Sequence, residues 1–94
     1  MRGAWRMART ADLKAAPRNP RKHSQASIDS VAASLRAFGQ VDPVIVRGDQ
    51  VVHGHGRVAA ARKEGLEEIR VLDVSESMTA EEARAYAVAA NRTG

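Results

Sequence analysis

The densest chemistry in the sequence lies at Val51-Val52-His53-Gly54-His55-Gly56-Arg57-Val58-Ala59-Ala60-Ala61. A β-branched run ends there in two glycines and passes at once into a helical pattern. Glycines at such a junction let the chain turn sharply and let an anion approach main-chain N–H groups with no side chain in the way. The first turn of the helix supplies N–H donors and the positive end of its dipole. Arg57 adds a fork of donors that matches two phosphate oxygens, each charge-assisted hydrogen bond contributing about 1.5–3 kcal/mol. Phosphate binding at Gly54, His55, Gly56 and Arg57 is the chemistry implied. A plain strand-to-helix turn with a surface arginine would use the same residues, and the three spaced glycines of the dinucleotide pattern are absent.

Other groups carry weaker signals. On an extended strand His53 and His55 would face one side and could share a metal, but no third ligand lies nearby in sequence. His55 is therefore read as a phosphate or base contact, and His53 as a structural strand residue. Arg18, Arg21, Lys22 and His23 crowd into one short segment with Pro17, Asn19 and Pro20. That segment is either a DNA- or phosphate-contacting arm or a solvated loop. The carboxylates Glu64, Glu67, Glu68 and Asp73 sit in no recognisable motif, and Asp42 and Asp49 are the acids on the approach to the glycine junction.

The charge distribution supports an anionic partner. The net charge is +4, but residues 1–47 carry +6 and residues 48–94 carry −2. An imbalance of this kind suggests nucleic acid or nucleotide phosphate. Cysteine is absent, which excludes a disulfide scaffold, a zinc ribbon and any thiol nucleophile. No apolar run approaches the roughly 20 residues of a membrane span, and the basic start has no apolar signal region. A cytoplasmic protein is expected. The 94 residues suit one domain, with residues 1–8 a weakly ordered start and a last helix cut short at 94. Aromatics make up only 3% of the chain, so Val, Ile, Leu and Ala must build the core.

These residues need a scaffold that the periodicity supplies. Trp5, Met7 and Arg9 alternate with polar or small residues and predict a short first strand. Lys14 to Gln25 has no periodicity and reads as a basic loop. Ser24 or Ser27 caps a helix whose inner face is Ile28, Val31, Ala32, Leu35 and Phe38, closed by Gly39. Val44–Arg47 and Gln50–His53 predict a hairpin turning at Gly48-Asp49. A helix over Arg57–Glu64, closed by Gly65, and a strand over Ile69–Val74 follow. Thr79 and Glu82 form a capping box for a last helix with Ala83, Tyr86, Ala87 and Ala90 on one face. The expected fold class is α+β, a small mixed sheet with packed helices.

Several stretches together resemble the ParB/sulfiredoxin superfamily, specifically the ParB-like N-terminal (ParB-like nuclease) domain. They are Asp12-Leu13, Asn19-Pro20-Arg21, Phe38-Gly39-Gln40, Pro43-Val44-Ile45-Val46, the junction at Val51–Ala60, and Ala89-Ala90-Asn91-Arg92. The resemblance spans about residues 9–92. It implies a nucleoside triphosphate, CTP in partition proteins, held with Mg2+; the nucleotide expected here is CTP or ATP. Gly39, Gln40 and Pro43 would form the first motif, on the base side. Gly54, Arg57 and Ala60 match the second, and Asn91 with Arg92 the third, where Asn91 would assist the metal or the phosphates. The chain has His55-Gly56-Arg57 where ParB proteins usually carry Glu-Arg-Arg, and Ala90 where Glu usually precedes the Asn.

The function expected is a ParB-like nucleotide-binding domain in a DNA-associated protein, in a partition, plasmid, phage or DNA-modification context. Its partners are expected to be a nucleotide and DNA or a DNA-bound protein, with no membrane and a homodimer left open. A direct DNA-binding module using segment 14–23 is the alternative, followed by a small phosphotransferase or nuclease. Sulfiredoxin activity is excluded, because it needs a cysteine. Any turnover is expected to be weak nucleotide hydrolysis or nuclease activity at most.

Overall fold

The computed structural model describes residues 3–15 and 24–93, with the backbone alone for 91–93. The described elements are β1 (Ala4–Arg9), a 3-10 turn (Thr10–Asp12), β2 (Lys14–Ala15) and α1 (Gln25–Phe38). They continue with β3 (Val44–Arg47), β4 (Gln50–His53), α2 (His55–Lys63), β5 (Glu68–Asp73) and α3 (Ala80–Thr93). Five strands among the described residues form one mixed sheet in the order β1-β5-β3-β4-β2. β3 lies at its centre, parallel to β5 and antiparallel to β4. β1 runs antiparallel to β5, and β2 parallel to β4. This is the α+β architecture that the sequence predicts.

The core follows from strand alternation. Val44 and Val46 of β3 are fully buried while Ile45 and Arg47 are half-buried. Ile69 and Val71 of β5 and Val51 of β4 join them, and Ala32, Leu35, Val58, Ala60 and Ala61 cover that cluster from α1 and α2. Each fully buried Val, Ile or Leu contributes about 1.5–3 kcal/mol. The alanines keep α1 and α2 close to the sheet and to each other. Two ion pairs join the outer sides of those helices, Arg36 to Glu64 and Lys63 to Asp29. The Lys63 and Gln25 donors on Asp29 hold its carboxyl below the ordinary carboxylate value. Leu72, Val74 and Ala83 are buried outside this cluster.

The β3–β4 hairpin turns at Gly48-Asp49 as expected. Gly48 takes φ +65° and Asp49 does not have positive φ, the type II′ pattern whose twist matches the flanking strands. Neighbouring strands fix this turn. Arg6 Nη2 donates to the Gly48 carbonyl at 2.8 Å, and the Gly48 N–H donates to Ser75 Oγ at 2.8 Å and Asp73 Oδ1 at 3.3 Å. Burial pushes the Asp73 carboxyl up. Hydrogen bonds from Ser75, the Gly48 amide and Arg6 outweigh that penalty and leave it below its ordinary value.

Helix boundaries follow local capping. Ser24 caps α1, its hydroxyl accepting from the Ser27 N–H at 3.1 Å, and Gly39 ends it at φ +72°. Thr79 and Glu82 form the expected capping box, with N–H to side-chain distances of 3.0 and 3.1 Å in the two directions. α2 begins at His55, two residues before the expected start. α3 rests on β4, where the Tyr86 ring meets the His53 ring edge-on at 6.5 Å.

Two expectations need correction. Lys14 and Ala15 are not loop but strand β2, paired with Gln50 and Val51. A two-residue strand is too short to show alternation, and backbone bonding such as Lys14 N–H to Asp49 O at 2.8 Å defines it. Its approach is set by Arg62, whose guanidinium donates to the carbonyls of Thr10 and Leu13 at 2.6–3.0 Å. Gln25 likewise opens α1 rather than ending a loop. Phe38, placed by periodicity on the inner face of α1, is 77% exposed. It is the last residue of the helix, where Ala37 and Gly39 are exposed too, so the buried face of α1 has already ended at Leu35.

Ile69→Ala should therefore lower stability by about 2–5 kcal/mol, whereas Phe38→Ala should stay within about 0.5 kcal/mol of the parent. Urea unfolding of the two variants, read by circular dichroism, checks both.

Candidate functional site

An antiparallel hairpin places the start of its first strand beside the end of its second. Here that sets residues 39–43, which enter β3, next to residues 54–57, which leave β4. The contact is close. Gly54 has φ +106° and ψ 25°, and a Cβ added to it would stand 3.2 Å from Val44 Cγ2 and 3.4 Å from Val44 Cα. Glycine is needed twice over, for the left-handed backbone and for the approach to β3.

From this turn α2 starts with no side-chain cap. The Gly54 carbonyl accepts from the N–H groups of Arg57 and Val58, both at 3.0 Å. Gly56 is buried within the first turn, and His55 is half-buried with its Nε2 shielded from solvent. A helix start that lacks a side-chain acceptor is suited to an external anion, since its first N–H groups and its dipole favour negative charge.

The preceding loop is held by Gln40. Its Nε2 donates to the Arg70 carbonyl at 2.7 Å and to the Asp42 carbonyl at 3.1 Å, and its Oε1 accepts from the Arg70 N–H at 2.7 Å. The side-chain amide thus pairs with β5 as a strand backbone would. Asp42 stands beyond it, and Arg57 Nη2 donates to Asp42 Oδ2 at 3.4 Å. A cleft of about 180 Å³ opens there, lined by Ser30 and Ser34 of α1, by Gly39, Val41 and Asp42 of the loop, and by Arg57 of α2.

Residues 3–92 match the ParB N-terminal domain. The chain belongs to that family. The ParB N-terminal domain fold is shared with three solved structures. One is a C-terminally truncated chromosome-partitioning protein ParB from Caulobacter crescentus complexed with CTP-γ-S, with a TM-score of 0.83 and 23% identity. It is matched over 98% of this chain and 54% of its own. A Pnob8-like ParB-N domain follows at TM-score 0.72 and 22% identity, over 97% of this chain and 36% of its own. The truncated Caulobacter crescentus ParB complexed to the centromeric parS site gives 0.63 and 24%, over 93% and 48%. The chain thus spans about half or less of each of these proteins. No match emerges among curated protein sequences.

Of the expected site residues, Gly39 and Arg57 line this cleft. Gln40 and Pro43 lie in the same loop as Gly39, and Gly54, His55 and Gly56 precede Arg57 at the start of α2. Gln40 reaches the site through the loop that it anchors, its amide being engaged with β5. Asn91 and Arg92 fall in the last turns of α3, and their side chains lie outside the described residues. Arg18, Arg21, Lys22 and His23 also lie outside them. His53 and His55 do not share one extended strand, because the chain turns at Gly54 between them. No group of three or more metal-binding side chains occurs among the described residues.

Sequence reasoning did not single out Ser30 and Ser34, or the pairing of Asp42 with Arg57. The serines sit four apart on α1, a spacing that predicts one strip of surface but nothing more. Gly54→Ala should lower stability by about 1–3 kcal/mol from left-handed strain alone, with the Val44 contact adding to the loss. Thermal unfolding of that variant against the parent checks this.

Proposed function

We propose that the cleft between α1, the 39–43 loop and the start of α2 binds the phosphates of a nucleoside triphosphate, making the chain a nucleotide-responsive module of a DNA-associated protein. The carrying observation is the convergence of Arg57 and the loop on one cleft at a helix start that no side chain caps. The CTP-γ-S complex of a structural relative with this fold supports a triphosphate, and CTP first. In this reading the first N–H groups of α2 and the Arg57 fork take the phosphates. Val41, 70% exposed at the cleft, offers an apolar surface to the base.

Mg2+ would enter with the nucleotide, carried by phosphate oxygens and water, as this cation usually is. Asn91 is the proposed neighbour of that metal. The whole chain acts as one domain in the cytoplasm, with DNA or a DNA-bound protein beside it and a second copy as a further candidate partner. A parS-bound relative supports the DNA context. Direct DNA contact through Arg18, Arg21 and Lys22 is the second reading.

Calorimetric titration with CTP, ATP, GTP and UTP, with and without Mg2+, tests the proposal. Saturable binding is expected, tightest for CTP, and Arg57→Ala should weaken it by about tenfold or more, the loss of at least one charge-assisted hydrogen bond. Equal affinity in the variant would remove Arg57 from the site. Absent nucleotide binding with salt-dependent duplex binding would favour the second reading.

A further inference from the structure

Asp42 and Arg57 are the charged side chains among the described residues lining the cleft. They are also bound to each other, through one contact of 3.4 Å. Asp42 is fixed unevenly. Its carbonyl is held by Gln40, which is itself held on both sides by the Arg70 backbone. Its carboxylate is 71% exposed and carries the Arg57 contact. The backbone therefore keeps this carboxylate at the cleft while the side chain stays free to rotate.

An anion that enters the cleft needs the same Arg57 donors, and a guanidinium fork has a fixed geometry. We propose that Asp42 is an internal competitor for Arg57: it occupies the arginine in the ligand-free domain and must be displaced before phosphate binds. This rests on the phosphate-site reading above and adds to it a residue that sets affinity. An exposed single-contact ion pair is weak, so its displacement lowers affinity by roughly twofold to fivefold. The displaced carboxylate remains tethered near the phosphates, and like-charge repulsion adds to that penalty. Repulsion grows with ligand charge, so a triphosphate suffers more than a monophosphate. It is also screened by salt.

The test is titration of Asp42→Asn and Asp42→Ala with CTP and CMP, without and with Mg2+, at low and high salt. Asp42 is exposed, and neither change removes the carbonyl that Gln40 binds. Both variants should bind CTP about threefold to tenfold more tightly than the parent. The gain should be smaller for CMP, should shrink at high salt, and should fall in an Arg57→Ala background to the part that carboxylate–phosphate repulsion alone supplies. Equal or weaker binding by both variants would overturn the proposal. So would a gain by Asp42→Asn alone, which would mark a new amide hydrogen bond, or weakening confined to Mg2+, which would mark a metal ligand. These results leave the phosphate site standing so long as Arg57→Ala loses affinity. If Arg57→Ala binds like the parent, or the parent binds no nucleotide, the site and the competition fail together.

Discussion

The seating of Gly54 against Val44 is the constraint on which the candidate site depends. β4 can turn straight into α2 only because position 54 has a left-handed backbone and lacks a Cβ where β3 passes within contact distance. A longer connection would move the helix start away from β3 and from the loop that feeds it. Arg57 would then face solvent instead of Asp42. The turn is also what leaves α2 without a side-chain cap, since a glycine in this position has no acceptor to offer. A backbone requirement of the fold thereby creates an electrostatic opportunity for an anion.

The opposite wall is made differently. The 39–43 loop owes its position to the amide of Gln40, which hydrogen-bonds the Arg70 backbone of β5 just before the point where β3 pairs with that strand. Beneath both walls, α1 and α2 are clamped at their outer sides by Arg36–Glu64 and Lys63–Asp29. The Lys63–Asp29 pair is exposed and contributes little to stability, whereas the Glu64 side chain of the other pair is largely covered. Their value lies in register, because they fix α1 against α2 and so fix the serines of the cleft against Arg57. The hydrophobic contacts of Ala32, Leu35, Val58 and Ala61 supply the energy.

Much of this was legible before any coordinates. The β-branched runs on either side of Gly48-Asp49 announce the hairpin, and the hairpin alone requires residues 43–44 and 53–54 to be neighbours. Ser24, Thr79 and Glu82 mark helix starts by hydrogen-bonding chemistry that depends on local spacing. What stayed hidden depends on distant partners. β2 is too short for a pattern and exists because β4 has a free edge and Arg62 gathers the carbonyls before it. Gln40 imitates a strand backbone, which no periodicity records. Phe38 keeps the helical phase of Leu35, yet phase cannot tell where the surface that covers the helix ends. The Asp42–Arg57 pair joins residues fifteen apart through the hairpin between them.

Family membership rests on residues 3–92 as a whole, whereas nucleotide binding rests on one cleft. Its most direct test is an amide NMR titration of the 15N-labelled domain with CTP and Mg2+. The account predicts that the signals of Gly39, Val41 and Asp42 on one wall and of His55, Gly56 and Arg57 on the other shift together along a single saturable curve. Unchanged signals on both walls at saturating nucleotide, or shifts confined to residues remote from the cleft, would contradict it.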